Sequence, residues 1–406
     1  MSTHLPYRVL LRSMGPSFTL LGILGRLPVA VLPLGMLLYA YSRLGSFALA
    51  GLASAALSVG GAAGATLVGY AADRFGQRIV GVGATVVQTL ALVGFMVLCR
   101  PDVSLAPVLA LAALTGFANP QLGAMARARW SQAAAQREDR VPYIAAAMAW
   151  EGAVEEVTFV LGPVIATTLA AVATPASLVT AVVLAWIGQV GFALHHSALP
   201  PAHHGRHRHA ETPDRIDWAV LVPLAVAVGG VGVLFGGSQT SIAAFFTFRG
   251  EAALAGVVYG AMAVGSATMG LLSNRFPLTF GLGQRIAVFG LGSAALAPLL
   301  TLGWDAASMA VACLLIGFMV GPVLISTFAF GERIATPERL STVMSALSTV
   351  GVVGVAAGAA VAGQLVESHS AQAAAWIATV GGVLSGVAGL VVTRLQDRAR
   401  PESRRP

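Results

Sequence analysis

The sequence predicts an all-α integral membrane protein, with twelve transmembrane helices in two pseudo-symmetric six-helix bundles and both termini cytoplasmic. Three observations predict it. The chain is 56% hydrophobic and only 10% charged, whereas soluble globular chains carry about 25% charged residues. Twelve apolar stretches can be marked, each near or above the roughly 20 residues that a spanning helix needs. The basic residues divide very unevenly between the two sides that those stretches define.

In chain order the stretches are 16–40, 46–70, 79–98, 103–124, 143–170, 175–195, 217–247, 252–273, 284–303, 307–330, 341–366 and 371–393. Most are dense in glycine and alanine, which lets helices approach closely. None alternates with the short period of a membrane barrel. Residues 1–12 are short and polar, and no small-residue cleavage site follows the first apolar run. That run therefore reads as a retained helix and not as a signal peptide.

The arginines test the span count. The chain has no lysine, so all 24 basic residues are arginine. With the N-terminus inside, 20 of them fall on the inner side and 3 (Arg43, Arg100 and Arg249) on the outer, while Arg26 lies within the first span. Cytoplasmic loops carry such an excess, and a wrong count would scramble it. The expected location is the cell inner (plasma) membrane, crossed many times. The net charge of +7 comes from these short loops and does not imply a nucleic-acid partner. Cys99 and Cys313 sit on different spans without metal-ligand spacing, so no metal site is expected from them.

The longest loop follows the sixth span. It carries Pro200, Pro201, His203, His204, His207 and His209 among arginines, with His195 and His196 at its edge. It reads as a solvated linker; metal binding by its histidines is the alternative. An internal repeat divides the chain at the same place. At an offset of 201, Asp73-Arg74-Phe75 meets Asn274-Arg275-Phe276, Gly116-Phe117 meets Gly317-Phe318, Gly69 meets Gly270 and Gly162 meets Gly363. The expected units are an N-terminal bundle over 1–198, a cytoplasmic linker over 199–216, and a C-terminal bundle with a short basic tail over 217–406. The halves differ in chemistry: Glu151, Glu155 and Glu156 meet Val352, Ala356 and Ala357, and Arg26 meets Ala227.

The fifth stretch holds those three carboxylates. A charge at mid-membrane costs about 2.5–3.5 kcal/mol even on the forgiving insertion scale. At about 100° per residue, Glu151, Glu155, Thr158 and Gly162 fall within roughly 40° of one another, while Glu156 points elsewhere. The plain alternative is a polar stripe that packs against a polar neighbour. Intramembrane acids are otherwise a functional feature, and these are the candidate proton-coupling residues together with Arg26. Arg26 and Glu151 each lie about eight residues into their spans, roughly 12 Å deep, so they can pair. The alternative for Arg26 is snorkelling to the headgroups. Glu155 lies roughly 18 Å deep, near mid-bilayer, and is the expected proton carrier.

Gly69-Tyr-Ala-Ala-Asp73-Arg74-Phe-Gly76-Gln-Arg78 lies on the short loop after the second span. It resembles the Gly-x-x-x-Asp-Arg-x-Gly-Arg-Arg signature of the major facilitator superfamily, with Gln77 in place of a basic residue. The resemblance implies a secondary transporter in which Gly69, Asp73, Arg74, Gly76 and Arg78 form a conformational latch. Gly162-Pro163 resembles the end of the glycine-rich signature of family antiporters, and implies a hinge in span five. The longer glycine pattern is incomplete, since no Gly-Gly follows Pro163. Arg127-x-Arg129-Trp130 with the span-five motif is similar to a branch common in bacterial members of unassigned substrate, and the resemblance as a whole implies a bacterial proton-coupled efflux-type transporter. Family exporters often carry an arginine mid-way along span four. Leu114 to Gln121 has none here, and Arg26 is expected to fill the gap.

The readings for function follow. The leading one is proton-coupled export, by antiport, of a small amphiphilic compound or drug. The rival is proton symport of a sugar, organic acid or other nutrient. Asn119, Gln121, Gln239, Phe246 and Phe318 are the expected cavity residues, and three glutamates against Arg26 favour a cationic or neutral substrate. An enzyme is not expected: there is no HExxH, no GxSxG and no histidine inside a span. No cofactor is expected beyond the proton gradient as energy source. The expected partners are the small-molecule substrate, protons and the lipid bilayer, with the chain working as a monomer.

Overall fold

The computed structural model describes residues 7–135, 137–200, 218–277, 279–302, 305–335 and 340–399. Twelve helices among them are long and apolar enough to cross a membrane. They are Pro16–Leu44, Phe47–Phe75, Gln77–Leu98, Leu105–Ala134, Pro142–Val172, Ala176–Leu194, Trp218–Phe248, Ala252–Leu272, Leu282–Leu302, Ala306–Ile334, Ala346–Ser368 and Ala371–Gln396. Each corresponds to one expected stretch, and no strand occurs among the described residues. The expected linker lies almost wholly outside them, with all but two of its six histidines.

Three local departures bear on function. Residues 7–14, expected as a polar lead-in, form a short helix, Tyr7–Met14. Its Leu10 and Met14 are buried against Phe18, Trp130 and Tyr143, and Ser13 Oγ lies 2.6 Å from the Tyr143 hydroxyl. The fourth span is broken. Helix Leu105–Phe117 stops, and a second helix, Leu122–Ala134, resumes after Asn119-Pro120. Proline has no N–H to donate and restrains the residue before it, so the break falls where it must. The second helix runs ten residues past the expected end, so Arg127 and Arg129 sit on a span and not in a loop. The sixth span holds a π-helical segment, Ala185–Val190, and such segments often mark functional sites.

Small residues set the helix crossings. A Cβ on Gly116 would lie 1.9 Å from the carbonyl oxygen of Leu57, and one on Gly317 would lie 2.1 Å from that of Met262. The second span thus crosses the fourth as the eighth crosses the tenth, and the two glycines are the pair matched at offset 201. Side chains at either position would force the helices apart.

Residues 7–200 and 218–399 meet at the end away from the termini. Glu367, near the end of the eleventh span, accepts from Ala48 N at 3.0 Å and from Ser46 Oγ. It thereby caps the N-terminus of the second span, where unpaired N–H groups favour a negative charge. Tyr41 stacks on Phe47 with centroids 4.0 Å apart, and Phe248 packs edge-on against Phe47 at 5.4 Å. Thr167 Oγ1 of the fifth span donates to Ala253 O and accepts from Gly256 N of the eighth, at 3.2 and 3.1 Å.

Candidate functional site

The polar stripe of the fifth span faces the first and fourth spans. Glu151 is 1% exposed and is ion-paired through Oε2 with Nη2 of Arg26, itself 7% exposed. Its second oxygen, Oε1, accepts from Trp130 Nε1 at 2.6 Å. Arg26 Nη1 donates to Gly22 O at 3.2 Å, one turn back on its own helix. Arg26 does not snorkel. The pair is sealed, with both carboxylate oxygens occupied, and that is what makes a buried charge pair tolerable.

Glu155, one turn along, has a different setting. It is ion-paired with Nη2 of Arg127, and the two side chains are 37% and 43% exposed. Glu155, expected near mid-bilayer and less well compensated than Glu151, thus has an arginine partner that the sequence reading did not assign to it. The broken fourth span carries Arg127 to the cavity wall, although its middle, Leu114 to Gln121, has no arginine, as expected. Hydropathy falls at Arg127-Ala-Arg129, which is why the sequence placed the end of the span before them. The side chain of Glu156 lies outside the described residues.

A cavity of about 270 Å³ opens between these groups. Its polar lining is Arg26, Asn119, Gln121, Arg127, Glu155 and Thr158, and Val29, Leu122 and Phe159 are among its apolar walls. Asn119 sits in the break of the fourth span. Its Oδ1 accepts from Gln88 Nε2 and from Gln189 Nε2, both at 3.4 Å. Gln189 also donates to Gly25 O at 3.3 Å and accepts from Thr85 Oγ1 at 3.2 Å. Gln88, Gln189 and Thr85 were not singled out from sequence. Two amides and a hydroxyl spread over the third and sixth spans give no periodic signal, and only the bundle brings them together around Asn119.

Of the expected cavity residues, Asn119 and Gln121 line this space and Gln239, Phe246 and Phe318 do not. Phe246 is fully buried in the apolar core, beside Phe245. Gly162-Pro163 causes no break, since the helix Arg140–Val172 runs through it. A Cβ on Gly162 would lie 2.4 Å from that of Ala30, so the fifth span presses on the first there.

The signature loop is well defined. Gly76 has φ +89°, a conformation suited to glycine, and joins the second and third spans in one residue. Asp73 is exposed and has no hydrogen bond or ion pair among the described residues. Gln77 is buried and accepts through Oε1 from Arg129 Nε at 2.7 Å. Arg129 also donates from Nη1 to Phe192 O at 2.9 Å and to Ser197 Oγ at 3.2 Å, with its guanidinium 3.9 Å over the Phe192 ring. Beyond Ser197, burial, His196 and Arg129 hold the His195 imidazole below its ordinary pKa.

No family model matches the sequence, and no curated protein matches it. Solved structures do. A bacterial homologue of the iron transporter ferroportin, in an inward-facing state, superposes with a TM-score of 0.67 at 15% identity, over 95% of this chain and 98% of that one. The nucleoside transporter NupG gives 0.64 at 14% identity, over 95% and 98%. The human organic anion transporter MFSD10 gives 0.63 at 17% identity, over 94% and 99%. These are transporters of the major facilitator fold, and the chain shares that fold along nearly its whole length.

Proposed function

We propose that this chain is a secondary transporter that moves a small organic compound by alternating access, coupled to protons through Glu155. One contrast carries the reading. Glu151 is sealed and held at both oxygens, while Glu155 is part-exposed on a polar cavity wall with a single arginine partner. Glu151 has nothing to gain from a proton. Glu155 can reach water, and protonation would cost it only the bond to Arg127. Coupling sites in such transporters lie near the bilayer midplane between helices, and Glu155 is at that depth.

Two further parts complete the reading. Contact at one end of the molecule, with Asp73 at the other unpaired among the described residues, is one state of a two-state cycle in which the Asp73 loop latches the opposite state. Gln239, Phe246 and Phe318 belong to the face that the second half turns to the cavity in that state, and Gly162-Pro163 is where the fifth span pivots. With the arginine-rich side inside, the cavity in this structure serves the cytoplasm of an inner-membrane monomer.

Coupling takes one of two forms. A cationic or neutral amphiphile that displaces the proton from Glu155 would be exported by exchange, as expected from the sequence. A compound held by the arginines would travel with the proton instead. Two guanidiniums on the cavity wall favour co-transport.

The test uses proteoliposomes loaded with a pH-sensitive dye. Small organic acids, amines and neutral amphiphiles are added in turn, and proton movement is followed. The wild type is expected to move protons with at least one class, and Glu155→Gln to be flat with that class. Proton movement that persists in the Gln variant removes Glu155 from the role.

A further inference from the structure

The ion pairs conceal an imbalance on the cavity wall. Arg26 and Arg127 both reach it, and among the described side chains Glu155 is the one carboxylate that lines it. Glu151 neutralises Arg26 from behind the wall. Arg26 nevertheless keeps a free group: its Nε is a buried donor with no hydrogen-bond partner among the described residues. A buried N–H left in that condition costs free energy that a ligand oxygen would recover. Arg127 is held by Glu155 through one nitrogen, Nη2. Protonation of Glu155 removes that bond's charge and frees the guanidinium. Two positive groups then face the cavity and one negative group, Glu151, balances them.

We infer that the cavity binds the carboxylate of a small organic acid, between Arg127 and the free Nε–H of Arg26, when Glu155 has taken a proton. This rests on Glu155 being the proton-binding group proposed above. The planar fork of arginine matches a carboxylate in geometry as well as charge. The net charge selects the ligand. One negative charge restores neutrality, a phosphate dianion overshoots it, and a cation would have to sit against two guanidiniums. The volume of about 270 Å³ is just below the roughly 300–1,000 Å³ of drug-sized pockets, so the acid is compact. Val29, Leu122 and Phe159 supply an apolar wall for its body, and Asn119 and Gln121 supply hydrogen bonds. Proton and acid share the site, so they cross together with no net charge.

The charged groups around Glu155 support this order of events. Among the described side chains the fourth span offers Arg127, the first Arg26, and its own helix Glu151, while the side chain of Glu156 lies outside them. The sixth span, Ala176–Leu194, has no ionisable side chain, and the eighth has only Tyr259, which is half-buried. The terminal helix Tyr7–Met14 carries Arg8 and Arg12, of which Arg8 and Arg12 are exposed.

The experiment is a binding titration on the purified full-length protein, at about pH 5.5 and at about pH 8. The probes are benzoate, benzylammonium and phenyl phosphate, with short aliphatic monocarboxylates alongside. A monocarboxylate is expected to bind best, roughly tenfold or more tightly at the lower pH. Glu155→Gln should bind it equally at both values. Arg127→Gln should lose the binding, and Arg127→Lys, which keeps the charge, should retain part of it. Thermal unfolding of each variant separates lost binding from lost fold. Tighter binding of benzylammonium or phenyl phosphate, equal binding at both pH values in the wild type, undiminished binding by a folded Arg127→Gln, or no binding of any monocarboxylate would each overturn the inference. Proton coupling fails separately: pH-dependent acid binding without proton movement in proteoliposomes would leave the acid site standing.

Discussion

Arg129 Nε donates to Gln77 Oε1 at 2.7 Å, and both side chains are buried. Gln77 occupies the position where the resembling signature has a basic residue. The departure is therefore matched to its neighbour: a guanidinium at 77 would face that of Arg129 with no carboxylate among their described partners. Gln77→Arg is expected to lower the thermal unfolding midpoint markedly, since burying an uncompensated charge costs several kcal/mol. Gln77→Glu supplies a counter-charge and should be milder. Equal midpoints for the two variants would show that charge at 77 is immaterial.

Arg26 and Glu151 form the most enclosed ion pair described. Removing one partner of a buried pair costs about 3–5 kcal/mol, because the other is left unpaired. Arg26→Ala should therefore be harsher for stability than Arg26→Ala combined with Glu151→Gln. Melting of the wild type, the single variants and the double variant provides the cycle, and strict additivity would count against energetic coupling.

Glu367 and Asp73 lie at opposite ends of the molecule and should act in opposite directions. Glu367→Gln weakens a cap worth about 1 kcal/mol, which shifts a two-state equilibrium roughly fivefold. The shift should favour the state closed around the cavity seen here. Asp73 has no partner among the described residues, so Asp73→Asn should leave the stability of this state unchanged and impair turnover more than binding. Maleimide labelling of Gln121→Cys, with Cys99 and Cys313 replaced by serine, reads the shift. Slower labelling with Glu367→Gln is expected, and faster or equal labelling would rule the cap out as a gate.

Orientation has its own test. Reporter fusions in the loop 199–216 and at the C-terminus should both report the cytoplasm, since arginines divide 20 to 3 between the sides. A periplasmic signal at either point would reverse the direction assigned to the cavity.

The sequence alone determined the spans, because burying about 20 residues in hydrocarbon demands an unbroken apolar run that any reading detects. It also determined that Arg26, Glu151 and Glu155 had to be explained. Intramembrane charge is costly enough to be conspicuous, and helical spacing put Glu151 at the depth of Arg26. Only the tertiary structure decided what each charge meets. The break at Asn119-Pro120 turned the end of the fourth span into a second helix and set Arg127 beside Glu155, where hydropathy had suggested a loop. The crossing of the first, fourth and fifth spans gave Glu151 both Arg26 and Trp130, and left Glu155 at a cavity. Gln77, Gln88 and Gln189 each look unremarkable in their own span. Their side-chain partners lie between 27 and 164 residues away, so nothing in local spacing reveals them. Period and composition act within a helix, whereas an ion pair or amide bridge between helices exists only once the bundle has closed.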